Sequence, residues 1–174
     1  FPKIKIIQDM DLKNGILSME QINQADIFIL SPWVKIGKIK VDLFINTRSM
    51  MEMTITSINN YFNLINKKIS NNGYFLCVNR YYKDLVGYPI ELHIYPFGNF
   101  WKIIISKTCW LQTHIHFLLL KKTSDKNEKL LFEIKMIKKK YINLLKREKF
   151  LIRKYLPISI YRYYKYLKFF VFKK

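Results

Sequence analysis

Several short runs along the chain are apolar at both phases of a two-residue repeat. "ADIFIL" (residues 25–30), "VDLFINT" (Val41–Thr47) and "GYFLCVN" (residues 73–79) are of this kind, and such runs suit strands buried on both faces of a parallel sheet. Between the second and third, Ile58, Tyr61, Phe62, Ile65 and Ile69 recur at helical spacing, and Asn72 with Gly73 supplies a stop signal. A strand–helix–strand unit is therefore predicted, and such units cross over right-handedly. "FWKIIISKTCW" and "THIHFLLLKK" then follow as two strands joined too closely for a crossover helix, which predicts an antiparallel hairpin. The body, residues 1–122, reads as a mostly parallel α/β sheet that finishes with an antiparallel edge.

The pattern changes in residues 123–174. From Leu130, apolar residues at Ile134, Ile137, Tyr141, Leu144, Leu151 and Tyr155 keep a helical stripe that Glu148 interrupts and Pro157 ends, with Lys and Arg on the other face. After Pro157, "ISIYRYYKYLKFFVFKK" interleaves cations with Tyr and Phe. That composition fits contact with an anionic membrane surface, and its apolar runs are far short of the ~20 residues of a spanning helix. The alternative is a basic helix packed on its own domain or on a partner chain.

Charge sharpens this division. The chain holds 31 Lys+Arg against 12 Asp+Glu; residues 1–120 carry +5 of the imbalance and residues 121–174 carry +14. A nucleic-acid domain places its basic residues around a recognition surface on the body, and the body has no such patch, no K/R-G-F motif and no zinc spacing. RNA binding through the tail, or a membrane-binding module with no catalysis, remains the alternative to an enzyme. Cys77 and Cys109 form neither a CxxC pair nor a disulfide framework, which points to buried packing in a reducing, cytoplasmic compartment, where the tail would meet the inner face of the membrane.

The apolar run Val41–Thr47 ends in a polar cluster: Asn46, Thr47, Arg48, Ser49 and, after two methionines, Glu52. Asn79 and Arg80 end the next predicted strand in the same way. Ligands of open α/β sheets bind beyond the carboxyl ends of the strands, so both ends are predicted to face one crevice. The competing reading makes Thr47 or Ser49 the cap of the following helix and Glu52 a partner of its dipole.

The segments "ADIFILSPW", "DLFINTRSMMEM", "NGYFLCVNRYYKD", "VGYPIELHIYP" and "WKIIISKTCWLQTHIHFLLL" resemble the bacterial sugar O-methyltransferases of the class I S-adenosylmethionine-dependent fold. The resemblance spans residues 25–120 and implies a partial Rossmann-like methyltransferase sheet, the later half of the domain. In that family a strand ending in a glycine-rich loop, then a strand ending in a ribose-binding acid, come earlier. Here Gly15, Gly37, Gly73, Gly87 and Gly98 are scattered and build no such loop. The resemblance therefore implies a fragment of a methyltransferase that modifies a surface polysaccharide or glycan, with S-adenosylmethionine binding by this chain alone doubtful and the missing half of the domain as partner.

Methyl transfer to a hydroxyl aligns the acceptor oxygen with the methyl carbon and removes a proton from it. Glu52, His93 and His114 are the candidate bases. Asn46 and Thr47 are candidates for the cofactor, with Trp33 stacking on its adenine unless it is a core or loop anchor. Arg48, Ser49, Asn79, Arg80 and Gln112 are candidates for the sugar, the arginines gripping any phosphate or carboxylate it bears. His114 and His116 share a strand face by period two, but no third metal ligand has suitable spacing, and no metal is expected.

Overall fold

The computed structural model describes residues 3–31, 34–37, 39–83, 89–109 and 112–155. The chain divides into two units, Phe1–Val41 and Asp42–Lys174. In the first, β1 (Ile6–Gln8) pairs in parallel with β3 (Ile27–Ile29), and β2 (Ile16–Leu17) pairs in parallel with β4 (Lys35–Ile36). Between them lies the one-and-a-half-turn helix α1 (Met19–Gln24), whose N-cap Ser18 accepts from the Gln21 amide. Asp9 accepts from the Ser31 amide and hydroxyl, and these bonds hold its carboxyl below the usual carboxylate range. "ADIFIL" does form a strand, but not one buried on both faces. Ile27 and Ile29 are 43% and 59% exposed.

The second unit is organised by the predicted strand–helix–strand. β5 (Val41–Thr47) leads through a short 3-10 turn, Met50–Glu52, into α2 (Ile55–Lys68), and β6 (Ile69–Arg80) follows with no loop. Thr54 caps α2 by accepting from the Ser57 amide at 3.1 Å, so neither Thr47 nor Ser49 is the cap. Asp42 lies beside Gly73, and the Arg48 amide donates to the Val78 carbonyl at 2.7 Å, so β5 and β6 run the same way. The helix ends four residues before the predicted stop. Asn72 has φ 67°, but it lies inside β6, where this left-handed residue bends the strand and does not close a helix.

β6 continues through β7 (Tyr82–Lys83), which pairs antiparallel with β8 (Ile90–Glu91). The predicted hairpin is β9 (Trp101–Thr108) and β10 (Ile115–Lys122), antiparallel as expected. Its second strand, not its first, lies against β6, giving the order β5-β6-β10-β9. The four-stranded sheet is thus mixed, with β10 antiparallel to both neighbours. The last helix, α3 (Leu130–Tyr155), packs on β9 and on the 3-10 turn Leu92–Ile94, so the described part of the basic tail belongs to this unit.

One face of the sheet carries the core. Phe75 meets Phe44, Phe62 and Trp101 with ring centroids 5.8, 5.7 and 6.1 Å apart, and Phe62 meets Phe97 at 5.0 Å, mostly edge to face. Ile58, Ile65, Leu118, Leu120, Leu130 and Ile134 fill the rest. The opposite face is not buried as the apolar runs suggested. Leu43 and Ile45 are 51% and 54% exposed, and Leu43, Tyr74, Leu76, Ile105, Phe117 and Leu119 line an open groove of about 1,000 Å³. Cys77 and Cys109 are both free thiols, and burial pushes the Cys77 thiol up to about 12.

Gly73 of β6 stands where the surrounding chain leaves little room for a side chain. A Cβ there would lie 2.9 Å from Ile69 Cγ2, 3.0 Å from the Ser70 carbonyl oxygen and 3.1 Å from that of Asp42. Two of those atoms are backbone and cannot swing away. Gly73→Ala is expected to cost about 1–3 kcal/mol, read as a lowered urea midpoint; an unchanged midpoint would show that β5 and β6 can separate there without penalty.

Candidate functional site

The carboxyl ends of β5 and β6 lie side by side, and a network of polar side chains joins them. Asn79 is fully buried and Asn46 is 6% exposed. Asn79 Nδ2 donates to Asn46 Oδ1 at 3.0 Å and to Cys77 Sγ at 3.2 Å. Asn46 Nδ2 donates in turn to Ser49 Oγ, and Asn46 Oδ1 accepts from the Met50 amide. Met50 and Met51 are buried and anchor the turn that carries these groups. Arg48, at the exit from β5, holds φ 62°, a conformation an arginine adopts at a cost and one that clusters at functional sites.

Glu52 lies just beyond this network and forms an ion pair with Lys83 of β7; its own side chain is half exposed, whereas Lys83 is 7% exposed. The pair links the turn after β5 to the strand after β6. Removing Glu52 would therefore leave a mostly buried ammonium without its partner.

Along the same edge of the sheet, the core face continues into a second polar cluster. His116 is 2% exposed and stands opposite Asn79 in the β6–β10 register. Its Nδ1 is 2.5 Å from the Tyr81 hydroxyl and its Nε2 is 2.9 Å from Ser106 Oγ, while the Tyr81 hydroxyl also meets Thr108 Oγ1 at 2.8 Å. One consistent proton arrangement has Tyr81 donating to Nδ1 and Nε2–H donating to Ser106. Burial, helped by the positive charge of Lys140, pushes the His116 pKa down to about 4, so the ring is neutral at pH 7. Tyr81 is itself raised, chiefly by burial, and its ring stacks on Tyr141 of α3 with centroids 4.5 Å apart.

Of the residues the sequence singled out, Asn46, Ser49 and Asn79 come together, with Thr47, Arg48 and Glu52 exposed at their border. Arg80 does not join them. As the next residue in β6 it points to the opposite face, where its buried Nε has no hydrogen-bond partner among the described residues. His93 lies in the turn after β8, its Nδ1 2.8 Å from Glu91 Oε2 at ion-pair distance; burial lowers its pKa more than Glu91 raises it. His114 precedes β10 and does not share a strand face with His116; its carbonyl accepts from the Tyr81 amide at 3.2 Å. Gln112 is exposed between β9 and β10. Trp33, Gly87 and the segment after Tyr155 lie outside the described residues.

The described residues do not form a cofactor cradle. Gly15 and Gly98 have open space where a Cβ would stand, Gly37 has one backbone oxygen at 3.9 Å, and Gly73 is packed against its own sheet. The amide nitrogens of Asn46 and Asn79 are engaged within the protein. Among the described residues, no His, Cys, Asp and Glu group of three or more is placed to hold a metal ion.

Compared with known proteins, the chain matches no family model, no curated protein and no solved structure.

The His116 cluster has a measurable consequence. An unfolded histidine titrates near 6.5, so between about 6.5 and 4 the unfolded chain binds more protons than the folded one. Stability should be full above pH 7 and fall as pH drops through that window, by on the order of 3 kcal/mol at the full shift. Melting temperatures across pH 4–7 should decline less steeply in His116→Gln, which keeps a hydrogen-bonding side chain but does not titrate. Parallel declines in the two proteins would assign the acid sensitivity to other groups.

Proposed function

We propose that this chain is the acceptor-side half of an S-adenosylmethionine-dependent sugar O-methyltransferase domain, whose methyl donor is held by a glycine-rich half. The observation that carries the reading is the Asn79–Asn46 hydrogen bond, 3.0 Å across the carboxyl ends of two adjacent parallel strands, at the edge where α/β sheets bind ligands. The resemblance of "DLFINTRSMMEM" and "GYFLCVNR" to that family supports the same reading, because both stretches end at this edge. The mixed sheet with its antiparallel hairpin is compatible with the later half of a Rossmann-like domain.

In this reading the chain's own residues position a sugar hydroxyl and take its proton. Ser49 and Thr47 offer hydroxyls at the rim, Arg48 a cation, and Glu52 a carboxylate that accepts the proton while Lys83 fixes its direction. Residues 123–174 add a peripheral contact with an anionic surface, supported by the exposed Lys135, Lys138, Lys139, Lys140 and Lys146 of α3. No helix among the described residues is long and apolar enough to cross a membrane.

The test is methyl transfer to a panel of sugars by this chain fused behind the glycine-rich half of a sugar O-methyltransferase, with the chain alone expected to show no S-adenosylmethionine binding by calorimetry. In the fusion, Glu52→Gln should lower the turnover rate by roughly 10²–10⁴. Lys83→Met, which leaves the carboxylate in place, should lower it much less. A folded fusion that binds the cofactor but methylates no sugar would contradict the proposal, and full turnover by Glu52→Gln would remove Glu52 as the base.

A further inference from the structure

A second recess opens where the polypeptide leaves β6. Tyr81, Tyr82, Glu91, Lys138, Tyr141 and Leu145 line a half-open cavity of about 210 Å³. Drug-sized ligands occupy sites of ~300–1,000 Å³, so this one takes a single ring. Its chemistry is mixed in a particular way. Tyr82 is 42% exposed, and with Tyr141 and Leu145 it offers aromatic and aliphatic surface. Tyr81 and Tyr141 are locked by their own stacking, so that wall is rigid.

On the polar side, Glu91 Oε2, itself buried, lies 2.7 Å from Lys138 Nζ and 2.8 Å from His93 Nδ1, at ion-pair distance but without hydrogen-bond geometry. The lysine is close enough to match the carboxylate's charge. A site lined by aromatic carbon on one side and a neutralised carboxylate–ammonium pair on the other does not select an ion. It suits a ring with an apolar C–H face and hydroxyl groups at its edge, which stacks on the aromatics and hydrogen-bonds the polar groups.

We infer that this cavity is a subsite for one neutral pyranose ring, with the ring's C–H face on Tyr82 and a hydroxyl donating to Glu91. The inference rests on the sugar-methyltransferase reading for its place in a reaction, since Tyr81, which lines the cavity, directly follows the carboxyl end of β6 in the chain. It names the acceptor's class as uncharged sugars and identifies two residues, Tyr82 and Glu91, as determinants of sugar binding.

Binding can be read on the chain without any methyl transfer. Saturation-transfer NMR with methyl glycosides of the common neutral hexoses is expected to show contact with at least one of them. Tyr82→Ala should weaken that binding by roughly 3–10-fold, Tyr82→Phe should retain it, and Glu91→Gln should weaken it while circular dichroism shows the fold intact. No contact with any of the glycosides, or binding unchanged in both Tyr82→Ala and Glu91→Gln, would overturn the subsite. Methyl transfer by the fusion protein with an unaltered KM in Tyr82→Ala would also overturn it and leave the proposed function standing. Glycoside binding lost in Tyr82→Ala, with no transfer by the fusion, would keep the subsite and reject that function.

Discussion

A buried carboxamide has to find partners or destabilise the fold by about 1–3 kcal/mol per orphaned group, and Asn79 places that requirement at the end of β6. Its nitrogen is satisfied by Asn46 and Cys77, while its Oδ1 has no hydrogen-bond partner among the described residues, so the bond to Asn46 is the side-chain contact across the strands that offsets the burial. The bond to Asn46 holds the ends of β5 and β6 at the same level, and Asn46 then fixes the turn Met50–Glu52 through Ser49 and the Met50 amide. Glu52, the last residue of that turn, pairs with Lys83. The arrangement of the candidate site therefore depends on one side-chain contact between parallel strands.

The backbone supports the contact from below. α2 passes into β6 without a loop, and Phe62 of α2 packs against Phe75 of β6, so the position of the helix sets the position of the strand. Gly73 allows β6 to approach Asp42 of β5 more closely than any other residue type would permit. At the far side, β10 brings His116 opposite Asn79, and the row of polar groups continues through Tyr81 and Ser106 to β9. The bonded parts of this row, Asn46–Asn79 and Ser106–His116–Tyr81, each tie neighbouring strands at that end of the sheet.

Much of this architecture was legible in the sequence, and the failures have definite physical causes. The strand Val41–Thr47 was found with its observed bounds because a β-rich apolar run ends there in polar residues. The end of α2 is not legible in Asn72 and Gly73, which signal left-handed or close-packed backbone without specifying whether a helix stops or a strand bulges. Apolar runs do not reveal which face is covered, so they do not encode the exposure of Ile29 and Ile45. Period two placed His114 with His116, but β10 begins at Ile115, which leaves His114 in the turn and gives the buried role to His116. Arg80 and Asn79 are chain neighbours, and strand alternation sends the two to opposite faces. The pairing of Glu52 with Lys83 joins segments 31 positions apart, and no local pattern encodes it.

A double-mutant cycle on Asn46 and Asn79 tests the dependence directly. With Asn46→Ala, Asn79→Ala and the double variant unfolded in urea, the single losses should fail to add, leaving a coupling energy of about 0.5–3 kcal/mol. Losses that add to within about 0.5 kcal/mol would show that the two strand ends are held independently, and would contradict the claim that this hydrogen bond organises the site.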